Sequence, residues 1–190
     1  MNLVGLPESV DHASPGEVDT LVLGFSHAFA LINATVEARG GVLKKVTYHP
    51  SGSDIVIYFG VLNAHTNDAI RAAETALAIR EIMTRITPPT VGGKQVRVLC
   101  QVGVSRGEAF AAEIGEPRGR REFNVLGDTV NTAARLMGRA GENRIFITDA
   151  VYREIAPHFE CEALGAQPLK GKAALVPMFE LRRRGESREA

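Results

Sequence analysis

Apolar residues recur along this chain at two periods, and the switch between them lays out its elements. Val18, Val22, Phe25, Phe29, Ile32 and Val36 fall at the spacing of one helical face. Ser14-Pro15-Gly16-Glu17 opens that run with an N-cap serine, a proline in the first helical position and a glutamate placed for a capping box. Gly40-Gly41 closes it. A second amphipathic helix is predicted over 67–86, with Ala69, Ala72, Ala76, Ile79, Met83 and Ile86 on one face and Pro88-Pro89 as its stop. The period then becomes that of a strand: Val96, Val98, Cys100, Val102 and Val104 recur at every second position, as in a half-buried strand. Val42–Tyr48 and Asp54–Phe59 read as a hairpin around His49-Pro50-Ser51-Gly52-Ser53.

The remaining elements are shorter. Asn2–Leu6 reads as the tail of a strand, 144–148 as a strand, 149–155 as a short helix, and 168–181 as a final turn and strand. Val91–Lys94 is expected to be a loop. Ile114–Glu122 is expected to be a charged loop, its arginines Arg118, Arg120 and Arg121 either solvated or forming a basic rim. One domain is expected over 1–181, with a charged, frayed tail over 182–190.

The densest chemistry lies in Phe123–Met137, read as a short strand, a tight turn at Gly127-Asp128, and a helix capped by Asp128 or Thr129. Val130, Ala133, Ala134 and Met137 form its apolar stripe. Asn131 and Arg135 stand four apart, so an amide and a guanidinium project from one face. That pair suits a polyanion whose charge moves during reaction, because arginine spreads a fixed charge over several donors and asparagine adds a neutral one.

Composition narrows the rest. The 190 residues are 45% apolar and 23% charged, with zero formal net charge, so bulk electrostatics point to no nucleic-acid or membrane-surface partner. Cys100 and Cys161 are far apart and lack metal or redox spacing, as expected of reduced thiols in a cytoplasmic protein. No apolar run approaches the roughly 18 residues that span a bilayer, and no direct membrane contact is expected.

The string Leu-Gly-Asp-Thr-Val-Asn-Thr-Ala-Ala-Arg-Leu over 126–136 resembles the signature of the class III nucleotide cyclases, the adenylate and guanylate cyclase family. Other segments match in order: Asn2-Leu3-Val4-Gly5-Leu6, the hairpin ending at Phe59-Gly60, Val102-Gly103-Val104-Ser105-Arg106-Gly107-Glu108, and Leu169-Lys170-Gly171-Lys172. The resemblance implies an α+β fold, a ferredoxin-like βαββαβ core with extra strands and one sheet face covered by helices. It implies that Asn131 and Arg135 stabilise the transition state as a nucleoside triphosphate closes to its 3′,5′-cyclic product. Lys45 would contact adenine, Asn124 would read the purine, and Lys170 would contact the triphosphate.

The sequence departs from the family where the catalytic metal is bound. Asn2 stands at the first metal aspartate. Anchored on Phe59-Gly60, the second aligns with Ser53, while Asp54 comes one residue late and should face the other way. The resemblance therefore implies a second-type half of an asymmetric pair, with Mg²⁺ or Mn²⁺ held by a partner cyclase domain and ATP favoured over GTP. The alternative is a degenerate nucleotide-binding or regulatory module.

Overall fold

A computed structural model of the chain describes residues 1–116, 118, 119 and 121–185; the side chains of Leu6, Pro7, Glu8, Lys45 and Arg121 lie outside the described set. A sheet of seven strands forms the frame: β1 (Asn2–Val4), β2 (Val42–His49), β3 (Gly52–Tyr58), β6 (Leu99–Val104), β9 (Arg144–Thr148), β10 (Phe159–Gln167) and β11 (Val176–Arg184). Their order is β10-β11-β9-β6-β1-β3-β2, antiparallel except between β6 and β9. Helices α1 (Leu6–Asp11), α2 (Pro15–Glu37), α3 (Asp68–Arg85), α4 (Asp128–Arg139) and α5 (Asp149–Ile155) connect them. Two ribbons stand outside the sheet, β4 (Thr90–Val91) with β5 (Lys94–Gln95), and β7 (Phe110–Gly115) with β8 (Arg121–Leu126).

The expected capping box at Ser14 and Glu17 is present, with the Ser14 main-chain N–H donating to Glu17 Oε2 at 2.9 Å. The buried stripe of α2 is Leu21, Phe25, Ala28, Ile32 and Val36, so the helix enters the core on Leu21 and leaves Val22 exposed. At 23 residues, with an 18-residue window of mean hydropathy 1.2, α2 is long and apolar enough to cross a bilayer by composition alone. In this fold its inner stripe packs instead into the domain core.

Helices cover both faces of the sheet, which corrects the expectation of one covered face. Ile32 and Val36 of α2, Ala73, Ala76, Ile79 and Met83 of α3, and Val151 and Ile155 of α5 pack with Leu3, Ile55, Cys100, Val102, Ile145 and Ile147. Side chains alternate along each strand, so Phe146 and Met178 face the other way, where they pack with Leu136 and Ala140 at α4. Gly103 allows that second contact. A methyl group there would overlap the Ala133 carbonyl oxygen and the Met137 nitrogen of α4. Gly103→Ala is therefore expected to lift α4 from the sheet and cost about 3 kcal/mol, the upper range for overpacking. A urea midpoint within error of the parent protein would contradict this.

Several expected loops are strands. Residues 90–95 form the β4–β5 turn, and Ile114, Gly115, Arg121 and Glu122 at the two ends of the expected loop belong to the β7–β8 ribbon. Arg118 is exposed, whereas Arg120 and the Arg121 side chain lie outside the described residues. The β2–β3 turn is tighter than expected, with His49 paired to Gly52. The last strand continues through Arg184, where Arg183 pairs with Glu160 at 2.8 Å and Arg184 with Glu74 at 2.6 Å. Buried Glu180 on that strand accepts from Arg144 Nε at 2.8 Å and meets Arg182 Nη1 at 2.9 Å. Cys100 is buried and Cys161 half-buried, both free; burial pushes the Cys100 thiol up to about 11.

β1 is short. Beside Met1, β3 and β6 line a cavity of about 660 Å³ between α3 and α4. The α-amino group of Met1 is buried at this cavity and donates to the Ile55 carbonyl at 2.7 Å.

Candidate active site

α4 starts where Gly127, at φ 143°, turns the chain out of β8. The N-cap is this glycine, not Asp128 or Thr129, since both side chains are engaged elsewhere. Thr129 Oγ1 donates to the Glu108 carbonyl at 2.8 Å, and Asp128 forms an ion pair with Lys172. That ion pair ties the Lys170-Gly171-Lys172 turn to the first turn of α4. Inward-facing Thr132 and Leu136 are buried, which leaves Asn131 exposed and Arg135 half-buried along the outer edge.

The Arg135 guanidinium lies against Gly171. A methyl there would stand 3.0 Å from Nη2. Its Nη1 is buried and has no hydrogen-bond partner among the described residues. A desolvated donor without an acceptor is costly, so this guanidinium is set up to receive an anion. The fold thus brings together three of the sequence-predicted residues, Asn131, Arg135 and Lys170, the last exposed on the adjoining turn.

Asn124 lies on β8, half-buried, with Nδ2 donating to the Glu122 carbonyl at 3.2 Å. The Lys45 backbone pairs with Val56 immediately after a bulge in β2, and its side chain lies outside the described residues. Neighbouring Lys44 reaches over Phe123 of β8, its Nζ 5.9 Å from the ring centroid. Neither Asn131 nor Arg135 lines the large cavity, which lies beneath α4. They stand on an open shelf.

The strand register shows how Ser53 and Asp54 stand relative to Asn2. Asp54, not Ser53, is the residue opposite Asn2 across β1 and β3, while Ser53 lies opposite Leu3. Ser53 consequently faces the helix-packed core with no exposure, and Asp54 shares the other face with Asn2. The two residues face opposite sides, as expected of neighbours on a strand, and a one-residue difference in spacing decides which of them meets Asn2. The backbone pairing carries that information, and motif spacing does not.

The residues at this position do not by themselves fit a divalent metal. Asn2 Oδ1 and Asp54 Oδ1 both lack hydrogen-bond partners among the described residues, yet they offer only one carboxylate between them, and Mg²⁺ favours anionic oxygens in a near-octahedral set. Asp54 also has His49 beside it, Nε2 to Oδ1 3.2 Å, off the line of a hydrogen bond. Among the described residues no group of three or more His, Cys, Asp or Glu side chains converges.

Residues 20–181 match the Adenylate and Guanylate cyclase catalytic domain, and the chain belongs to that family. It is 28% identical over 129 residues to human guanylate cyclase soluble subunit beta-2, covering 67% of this chain and 20% of that protein. It is 24% identical over 184 residues to an adenylate cyclase of Mycobacterium bovis, covering 96% of this chain and 38% of the relative. The chain therefore spans well under half the length of these curated relatives. Among solved structures, the adenylyl cyclase CyaB from P. aeruginosa superposes with a TM-score of 0.80 at 18% identity, covering 100% of this chain and 93% of that one. The guanylate cyclase domain of RhGC from Catenaria anguillulae gives 0.78 at 21% identity, covering 97% and 93%. These likenesses establish the class III cyclase fold.

Proposed function

We propose that this domain supplies the transition-state half of a two-domain nucleotide cyclase site that converts ATP to 3′,5′-cyclic AMP and pyrophosphate. The observation that carries the reading is Arg135, held on α4 against the Lys170–Lys172 turn with a buried N–H that has no acceptor. Asn131, one turn earlier, adds a neutral donor on the same edge. In this reading Lys170 attracts the triphosphate, and Lys45 and Asn124 address the base.

The open shelf supports a second cyclase domain as the closing surface. The β7–β8 ribbon presents an apolar face to such a partner: Phe110 and Leu126 are paired across the strands and stay 66% and 51% exposed, with Ile114 on the same side. Members of this family generally use Mg²⁺ or Mn²⁺. The Asn2/Asp54 pair offers one carboxylate, so we assign the metal to the partner domain; the free thiols of Cys100 and Cys161 are the ground for placing the complex in the cytoplasm.

Purified alone with ATP and either metal, the chain is expected to make no cyclic nucleotide above background. Addition of a cyclase domain bearing both metal aspartates should give turnover. Robust activity of the isolated chain would instead assign Asp54 a metal role. Nucleotide binding by a mixture that never turns over would favour the regulatory module. In an active pair, Lys45→Glu should lower the ATP:GTP ratio of kcat/KM, because a mismatched base leaves buried polar groups unpaired. An unchanged ratio would leave Lys45 as a strand charge.

A further inference from the structure

The residue at the first metal position belongs to a polar chain that crosses the sheet. Asn2 is 5% exposed, and its Nδ2 donates to Gln101 Oε1 at 3.0 Å. Gln101 lies opposite Asn2 on β6, and its Nε2 donates to the Ala140 carbonyl at 2.7 Å. Ala140 is the C-cap of α4, the helix that carries Asn131 and Arg135.

The direction of this chain is fixed at both ends. A main-chain carbonyl can only accept, so Gln101 must turn its amide nitrogen toward Ala140 and its oxygen toward β1. Position 2 must then donate. Asparagine does so and a carboxylate does not. The Ser51 carbonyl, 3.4 Å from Nδ2, makes the same demand from the β2–β3 turn.

We propose that Gln101 is a positioning residue that holds the C-terminal end of α4 against the sheet, and that it does so only while residue 2 carries a hydrogen-bond donor. Asn2 is then a structural partner of Gln101, not an eroded metal ligand. An aspartate at position 2 would set an anion against Gln101 Oε1 and the Ser51 carbonyl. It would also face Asp54 across β3. Relief by rotating Gln101 would turn its oxygen onto the Ala140 carbonyl and release the helix end. The inference rests on hydrogen-bond polarity and holds whether or not the domain supports turnover.

The test compares Asn2→Asp, Gln101→Met and the double variant by thermal unfolding across pH in EDTA, with amide exchange followed in residues 136–140. At pH 8 Asn2→Asp should lower Tm by about 3–8 °C, as expected for a frustrated buried polar group in a domain of this size. The loss should shrink as pH falls and the new carboxyl protonates, because a protonated acid donates to Gln101 as the amide did. In the Gln101→Met background the same change should cost less than half as much, a coupling expected only of direct partners. Gln101→Met alone should speed exchange at the end of α4 by about tenfold or more.

Three results would overturn the proposal: an Asn2→Asp penalty independent of pH, additive single changes, or exchange in α4 unaffected by Gln101→Met. Recovery of the Asn2→Asp Tm by Mn²⁺ would also overturn it, by showing that position 2 is a vacated ligand. If Asn2→Asp fails to fold, Asn2→Ala with Gln101→Met gives the coupling, and additivity there counts against the proposal.

Discussion

Arg135→Ala should reduce kcat of the assembled pair by about 10²–10³, the usual cost of deleting a preorganised donor aimed at developing charge. The effect should fall on kcat more than on KM if the guanidinium meets charge that grows in the transition state. Its position supports that role. The helix holds Arg135 by its stem, Gly171 leaves room beside the guanidinium, and Nη1 is dry with no acceptor. Arg135→Lys should recover little, since a single ammonium cannot reproduce the planar fork. Paired assays of both variants with the same partner domain check this, and an unchanged kcat in Arg135→Ala would remove the residue from the chemistry.

In a protein whose free amino group is that of Met1, stability should rise as pH increases from about 6 to 8. The α-amino group of Met1 sits buried at the end of β1, and desolvation lowers its pKa from 8.0 to about 6, with Asp54 and Cys100 opposing the shift more weakly. The unfolded chain therefore binds more protons than the folded one within that window, and unfolding becomes harder as pH rises through it. Below the window the full penalty applies, and above it none. The displacement corresponds to about 2–3 kcal/mol, or roughly 5–10 °C in Tm for a domain of this size. A variant carrying a short apolar extension before Met1 should lose this dependence. The extension moves the amine away from its buried place beside the Ile55 carbonyl. Equal pH profiles for the two proteins would show that the amine is not the source.

Much of this protein was legible in its sequence. Periodicity and capping located α2 and α3 closely, because Ser14, Glu17 and the apolar stripes act locally. The turn and helix of the Asn131/Arg135 motif follow from Gly127 and the spacing after it. What escaped was non-local. β10, whose burial alternates irregularly through two bulges, is a strand because β11 pairs with it. The β7–β8 ribbon likewise depends on a partner strand, and its charged end carries no clear strand signal.

The family and the Asn131/Arg135 edge were thus determined by the sequence alone, since a helix fixes the relation of residues four apart. Tertiary structure decided which residue stands opposite Asn2. Strand side chains repeat every two residues, and only the pairing of β1 with β3 shows that Asp54 faces Asn2 while Ser53 enters the core. It also decided that α4 lies on the far face of the sheet over Gly103, and that Gln101 joins Asn2 to the end of that helix. Each contact spans dozens of residues of chain, and its energy depends on two strands and a helix being assembled together.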